Sequence, residues 1–448
     1  MTRKKQMKLA AFFHPTGHHV AAWLHPGAQI DAGTNFRHYV HLAQMAERAK
    51  FEFIFLADSL AIWDGPDSVI QRWPKYAAYF EPVTLLSGLA AVTSNIGLVA
   101  TTSTSYNEPF NVARRYASLE LISGGRSGWN VVTSANAAEP ANFGQADLVA
   151  HAERYKRGRE FYDVVTGLWD TWEPDAFVRD RQSQIYLDPA KLHTLNYKGQ
   201  YYSVRGPLHV GPSPQGRPVI VVATGSPEGL DLASDIAEVV FTHQLEIKGS
   251  QKFYSELKSR TAARGRSPDS VNLMPGLSAI VGTSLQEAQD KFDFLQSKIH
   301  PDVGRSLLSV ALGGFDTSDL PLDEPLPKEL DNFVTERNTS SLTRLVKTAR
   351  EDNLTVRQMY EQYAGARGQR TVIGTPKMIA DQMEEWFTAE ATDGFLVQPA
   401  VLPEGLTDFV ELVMPELVRR GLFRSEYTGN TLRENLGLSV PVNRYLAR

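Results

Sequence analysis

The sequence predicts an α/β fold, a TIM (β/α)8 barrel with insertions at one rim. Three features predict it. Short stretches are apolar at nearly every position, amphipathic stretches of helical period separate them, and about eight such pairs follow one another along 448 residues. A strand that is apolar on both faces belongs in a parallel sheet covered on both sides. A doubly wound sheet seldom needs so many units.

Residues 8–13 (KLAAFF) read as the first strand and 38–50 as a helix with apolar positions three and four apart. Residues 51–57 (FEFIFLA) form the second strand, closed by Asp58; 82–93 are helical and 96–101 are the third strand. A helix over 111–122 leads to the fourth strand at 127–132, and 151–172 form a long helix. Strands five to seven are 218–223, 238–242 and 272–282, with helices at 230–234, 251–264 and 285–297. The eighth strand is 394–398 (GFLVQ), followed by a helix over 406–420.

One barrel domain over 1–448 is expected, interrupted at about 175–217 and about 300–370 and extended over about 423–448. The first insertion is polar and turn-rich, with a hairpin over 195–204 turning through Lys198 and Gly199. The second is rich in Pro, Asp and Ser early, then helical around 342–363. The tail has no helical period and is expected to wrap a neighbouring subunit or its own barrel. Rim insertions of this kind often cover an active site.

Composition narrows the function. Cys 0 removes disulfides, iron–sulfur clusters, thiolate metal sites and cysteine nucleophiles together. A formal net charge of −5 offers no basic face for a nucleic-acid backbone. The basic N-terminus runs into an apolar stretch, 9–13, too short for a secretory signal. No apolar run reaches the roughly 18 residues of a membrane span. A soluble cytoplasmic enzyme is the expectation.

GxGxxG opening a helix, GxxxxGK[ST], HExxH and GxSxG are all missing from the chain. His14, His18 and His19 lie close together, but their spacing matches no standard metal set, so a polar loop and no metal are expected. Side chains at the C-terminal ends of barrel strands face the active site. Here those ends carry Asp58, residues 101–106 (TTSTSY), 130–134 (NVVTS) and 223–226 (ATGS). Only one is a carboxylate, whereas glycoside hydrolysis needs two flanking one bond. Neutral hydroxyls and amides suit a large heteroaromatic ring with several hydrogen-bonding edges, such as a flavin. At 225–229 (GSPEG), Ser226 reads as an N-cap and Pro227 as the first helical residue, so free N–H groups would face a phosphate. His151 and Tyr155 stand four apart on one helix face and could reach the same phosphate or a ring edge. The same residues also read as an ordinary helix start.

Residues 127–144, SGWNVVTSANAAEPANFG, are too specific for composition to explain. Together with Leu56-Ala57-Asp58-Ser59, 103–109 (STSYNEP), His151, Arg154, Tyr155 and 205–208 (RGPL), they resemble the nitrilotriacetate monooxygenase family of bacterial-luciferase-like flavin monooxygenases. That family also holds dibenzothiophene-sulfone, EDTA and long-chain-alkane monooxygenases and sulfur-salvage enzymes. The likeness runs from about Met7 to the tail at 431–438 (TLRENLGL).

The resemblance implies a TIM barrel, reduced FMN (FMNH2) supplied by a separate NAD(P)H:FMN oxidoreductase, and O2 as co-substrate. The missing nicotinamide fingerprint agrees. Carried over by position, it implies Asp58 and Thr104 as flavin-ring contacts. It likewise implies His151, Tyr155 and Ser226 as further FMN contacts, the last beside the phosphate, with Asn130 and Thr133 lining the same pocket. His18 and Tyr106 are the candidate catalytic donors or bases. Reduced flavin and O2 give a C4a-hydroperoxide that decays to H2O2 when water reaches it, so a lid and dry walls decide the outcome. Phe12, Phe13, Trp63, Trp129 and Phe241 are candidate walls.

The expected reaction inserts oxygen beside a heteroatom and breaks a C–N or C–S bond, in an aminopolycarboxylate or an S-modified cysteine. His14, His18, His19, Arg72, Lys75 and Arg305 are cations available to substrate carboxylates. Family habit adds a homodimer or tetramer. Two alternatives keep the fold: a deazaflavin-dependent oxidoreductase, against which WNVVTSAN…NFG speaks, and a non-catalytic flavin-binding protein.

Overall fold

The computed structural model describes residues 5–62, 65–73, 76–335 and 339–446. Its strands are β1 (Lys8–Phe12), β2 (Phe53–Leu56), β3 (Gly97–Ser103), β4 (Ser127–Val132), β5 (Tyr197–Lys198), β6 (Ser203–Val204), β7 (Val219–Ala223), β8 (Val239–Thr242), β9 (Asn272–Val281), β10 (Arg370–Gly374) and β11 (Gly394–Val397). Neighbours run β9-β11-β1-β2-β3-β4-β7-β8, and β8 pairs back onto β9, which closes the ring. Every pairing in the ring is parallel. The fold is the expected α/β barrel with flanking helices.

Period-two alternation sorts each strand between two cores. Phe12, Phe53, Phe55, Val221, Phe241 and Leu396 point into the barrel and form one apolar cluster. Their neighbours Leu9, Ile54, Leu98, Ile220 and Val240 point outward into the layer of helices. Phe53 and Phe55, 1% and 2% exposed, each contribute about 2–3 kcal/mol by burial. Helices start where the chain offers caps: the side chains of Ser226, Ser284 and Thr375 accept from Gly229, Glu287 and Met378 N–H groups.

The N-terminal mouth is closed by the chain's own tail. Thr431 and Glu434 form a capping box on the helix Leu432–Leu436. Leu432 and Leu436 complete the interior cluster. Gly97 leaves the room they need, since a Cβ there would stand 2.5 Å from Leu432 Cδ1. Two buried ion pairs lock this plug, Arg433 with Glu238 and Arg424 with Glu52, and Arg433 also donates to the Gln215 and Ser439 carbonyls. Five helical residues are too few for a period to show in sequence, which is why the tail reads as irregular. Of the two expectations for it, it wraps its own barrel.

Three further departures have local causes. β10, unforeseen, pairs outside the ring with the C-terminal half of β9, Arg370↔Leu277 through Gly374↔Val281. Its half-buried RTVIG lacks the apolar run of a two-faced strand. The helix Pro301–Ala311 was hidden by its Pro-led, Asp-bearing first turn, which reads as loop. It packs with Val356–Ala364 through Leu307, Leu308, Met359 and Tyr360, and these enclose Val20, Ala21 and Trp73 from the loops after β1 and β2. That body therefore stands beside the C-terminal mouth. The hairpin turns over 199–202 rather than at 198–199. No helix among the described residues is long and apolar enough to cross a membrane.

Candidate active site

Past β4 the chain folds back over the ends of β2 and β3. Thr104 N–H donates to the Val132 carbonyl (2.9 Å), and the Ser105 hydroxyl to that of Thr133 (2.8 Å). Ser103 and Ser134 hydroxyls meet at 2.7 Å. Asn136 Nδ2 donates to Ser59 Oγ (3.1 Å), and Leu60 N–H donates to Glu139 Oε1 (3.0 Å). These bonds explain why the segment is so polar: its side chains replace the ladder that the strand has just left. The helix His151–Trp169 closes over them at Gly158, where a Cβ would stand 3.1 Å from both Thr104 Oγ1 and Thr133 Cγ2.

Several polar atoms in this mouth have no protein partner among the described residues. Asn130, 2% exposed, donates to Thr101 Oγ1 (2.9 Å) while its Oδ1 has none. Glu139 Oε2 and both amide atoms of Gln398 are likewise unmatched. Each such group costs about 1–3 kcal/mol when buried. Asp58 accepts from Ser59 N–H at 2.9 Å. Burial, with Glu81 and Glu139 adding repulsion, pushes its carboxyl up to about 6.

Across the ring, β7 ends at Ala223, an inward position that is nonetheless exposed. Thr224 Oγ1 accepts from Ser226 N–H (3.3 Å), and Ser226 Oγ caps the helix Pro227–Ile236 through Gly229 N–H (3.1 Å). A Cβ at Gly225 would meet nothing within 4 Å, whereas one at Gly229 would stand 3.1 Å from the Tyr155 hydroxyl. The His151 ring lies 4.9 Å from that of Tyr155. His151, Tyr155 and Ser226 thus converge on one helix N-terminus, an arrangement suited to an anion.

His18 belongs to a different cluster. His14, His18 and His19 are 5%, 4% and 1% exposed, where a solvated loop was expected. The His18 ring lies 5.0 Å from Phe12 and 4.7 Å from His14, and Phe12 meets Phe55 at 4.8 Å and Phe241 at 6.1 Å. Burial lowers the His19 pKa to about 4, so it stays neutral, bonded through Nε2 to Gln296 Oε1 (3.0 Å). No three His, Asp or Glu side chains among the described residues are placed to hold a metal ion.

Tyr106 stacks on Phe143 at the rim, centroids 4.7 Å apart, and burial raises its phenol. The two candidate catalytic groups therefore occupy separate clusters. Phe13 and Trp129 do not wall the mouth: strand alternation turns them outward, and Trp129 packs on Tyr116, Phe161 and Trp169. Trp63 and Lys75 lie outside the described residues. Arg72 and Arg305 donate to the carbonyls of Ser68 and Leu320. Glu139 and Gln398, whose unmatched atoms face this mouth, were not among the expected residues, although one lies inside the quoted motif and the other ends the eighth strand.

Residues 12–393 match the family of luciferase-like monooxygenases. The chain belongs to that family. This luciferase-like monooxygenase is 48% identical over 444 residues to N-acetyl-S-(2-succino)cysteine monooxygenase of Bacillus subtilis (strain 168), covering 99% of each chain. It is 44% identical over 451 residues to nitrilotriacetate monooxygenase component A of Aminobacter aminovorans, again covering 99% of each. A solved riboflavin lyase holding modified FMN and riboflavin superposes on it with TM-score 0.88, over 98% of this chain and 97% of that one, at 32% identity. The family resemblance in the sequence is correct, and the protein is a monooxygenase.

Proposed function

We propose that this luciferase-like monooxygenase is the oxygenase component of a two-component system. It takes reduced FMN from a separate NAD(P)H:FMN oxidoreductase and uses O2 to oxidise a small organic substrate with cleavage of a C–N or C–S bond. The carrying observation is the two-part character of the mouth. Unmatched buried polar atoms of Asn130, Glu139 and Gln398 suit a heteroaromatic ring with several hydrogen-bonding edges, and the capped helix at Ser226 suits a phosphate. The family supports the reading: one relative is a named component A, and the riboflavin lyase holds a modified FMN.

Asp58, Thr104, Asn130 and Thr133 would hold the ring, and His151, Tyr155 and Ser226 the phosphate end. Reduced FMN, when bound, supplies with O2 the oxygen atom that is transferred. The chain's own part is to bind, to aim and to keep water out. Phe12, Phe55 and Phe241 make an apolar floor, which excludes water from the reacting atoms. Asp58, held near 6, can take or give a proton close to neutral pH. His18, on the edge of that floor, would hold a proton at a ring nitrogen, and Tyr106 stands further out. One oxygen enters a C–H bond beside the heteroatom and the other leaves as water; the carbinol collapses to a carbonyl and a free amine or thiol.

Anaerobic titration with reduced FMN, then turnover with a reductase, NADH and O2, tests the reading. Carbonyl product in step with O2 consumed is expected from tertiary aminocarboxylates or S-alkyl cysteines. H2O2 alone with every substrate would mean a non-catalytic flavin binder. Failure to bind reduced FMN, with hydride transfer from a deazaflavin, would refute the proposal.

A further inference from the structure

A half-buried arginine with no acid beside it among the described residues stands at this same mouth. Arg367 lies in the turn between the helix Val356–Ala364 and β10. Its φ is 49° and that of Gly368 is 79°, two successive left-handed residues. That conformation costs a non-glycine residue about 1 kcal/mol or more and persists where the surroundings demand it. The turn aims the side chain back toward the barrel. Nη1 lies 3.2 Å from His14 Nε2, and the guanidinium carbon lies 5.5 Å from the Trp73 ring centre. Nε is sealed from solvent with no hydrogen-bond partner.

The remaining groups facing it are Tyr76, Tyr79, Tyr363 and the neutral His19. No carboxylate pairs with it among the described residues. The buried arginines of the tail differ: Arg424 and Arg433 each face a glutamate. A buried guanidinium is ordinarily paired, because solvation lost on burial must be replaced.

We infer that Arg367 anchors a carboxylate of the substrate, and hence that the substrates are organic anions. The inference rests on the proposed oxygenase reading and narrows its substrate class. A guanidinium presents a planar fork that matches a carboxylate through two parallel bonds, and among the described residues only His14 shares its donors here. The placement suits substrate better than cofactor phosphate. His14 follows β1 and Ser226 follows β7, and these strands are diametrically opposite in the ring. His14 also stacks on Phe12 at 4.9 Å, so an anion on Arg367 would carry its organic arm over the apolar floor. Tyr76 feels the charge of both Arg367 and Asp58, which puts the anchor on the Asp58 side of the mouth.

The test compares wild type with Arg367→Gln and Arg367→Lys. The probes are a thioether and a tertiary amine bearing carboxymethyl arms, and the methyl esters of both. Arg367→Gln should raise KM for the acids at least tenfold, with Lys restoring part of the loss. KM for the esters and reduced-FMN affinity should change less than twofold, and retained FMN binding would also show that the variant folds. Calorimetric titration of the amine into flavin-free protein should show the same loss, and it reads Arg367 independently of the flavin. Equal effects on acid and ester would overturn the inference alone. A parallel fall in reduced-FMN affinity would overturn it too, by giving Arg367 to the cofactor. Failure of wild type to bind reduced FMN would instead strike the oxygenase reading.

Discussion

Replacing Asp58 by Asn should stabilise the flavin-free protein while impairing its function, with a pH dependence set by one carboxyl. In the folded chain that carboxyl rises from an ordinary 3.8 to about 6, chiefly through burial, then through Glu81 and Glu139. A folded value above the unfolded one means that the native state binds the proton more tightly. The contribution to stability is therefore complete below about pH 4 and is lost as pH rises through 6. Above pH 7 the ionised form costs at most about 3 kcal/mol, at 1.36 kcal/mol for each pH unit between the two values. Asn is neutral at every pH and nearly the same shape. Denaturant midpoints of the two proteins should coincide at pH 4 and diverge as pH rises to 8, with the variant the more stable by about 1–3 kcal/mol. Reduced-FMN affinity should move the other way, falling by about 1–3 kcal/mol at pH 8 as a buried polar contact is lost. A gain that is the same at pH 4 and pH 8, or a variant less stable at pH 8, would refute the assignment of repulsion and burial at Asp58.

Ser226→Ala removes the cap on the helix Pro227–Ile236 and should cost about 1 kcal/mol of stability, with a larger loss in reduced-FMN affinity than in substrate KM; fluorescence titration separates the two. Gly158→Val would drive a side chain into Thr104 and Thr133, 3.1 Å from the missing Cβ, so reduced-FMN binding should fall while the circular dichroism spectrum stays that of the wild type. Leu432→Ala, at the opposite mouth, should cost about 2–5 kcal/mol in denaturation midpoint and leave KM and reduced-FMN affinity unchanged. Arg433→Met strands Glu238 in the core and should cost about 3–5 kcal/mol, again with no effect on KM.

The barrel was legible because its strands are buried on both faces, so Phe53, Ile54, Phe55 and Leu56 are all apolar and need no period to be seen. β10 was not, since it covers only one flank of β9 and alternates weakly. The polar ends of β2, β3, β4 and β7 were legible for a similar reason: hydroxyls and amides stand out against apolar strands. What sequence could not carry was direction. Phe12 and Phe13 read alike, yet one floors the mouth and the other packs under helices; a single residue of register decides. The loop histidines read as solvated because nothing local shows that a segment some 280 residues later, from Ile299 to Tyr360, builds a second core around Val20 and Ala21 beside them. Arg367 was overlooked on the same ground, since its meaning depends on His14 and Trp73, which are near it only in space.

The two ends of the barrel differ in how their buried charge is met, and the difference supports the proposed working end. At the closed end Arg433 faces Glu238 and Arg424 faces Glu52 beneath a helix of the tail, and the buried Arg126 donates to the carbonyls of Ala90, Thr93, Ile96 and Ser123. Such pairing leaves little to gain from a ligand. At the open end Asn130, Glu139, Gln398 and Arg367 keep buried polar atoms without protein partners, and Asp58 is held against its own ionisation. Each of these costs stability that a better-paired residue would return, and the costs fall together at the ends of strands where the loops of a barrel meet. A molecule with several hydrogen-bonding edges and at least one negative charge would meet Asn130, Gln398 and Arg367 together, as the proposed reduced FMN beside a carboxylate substrate would.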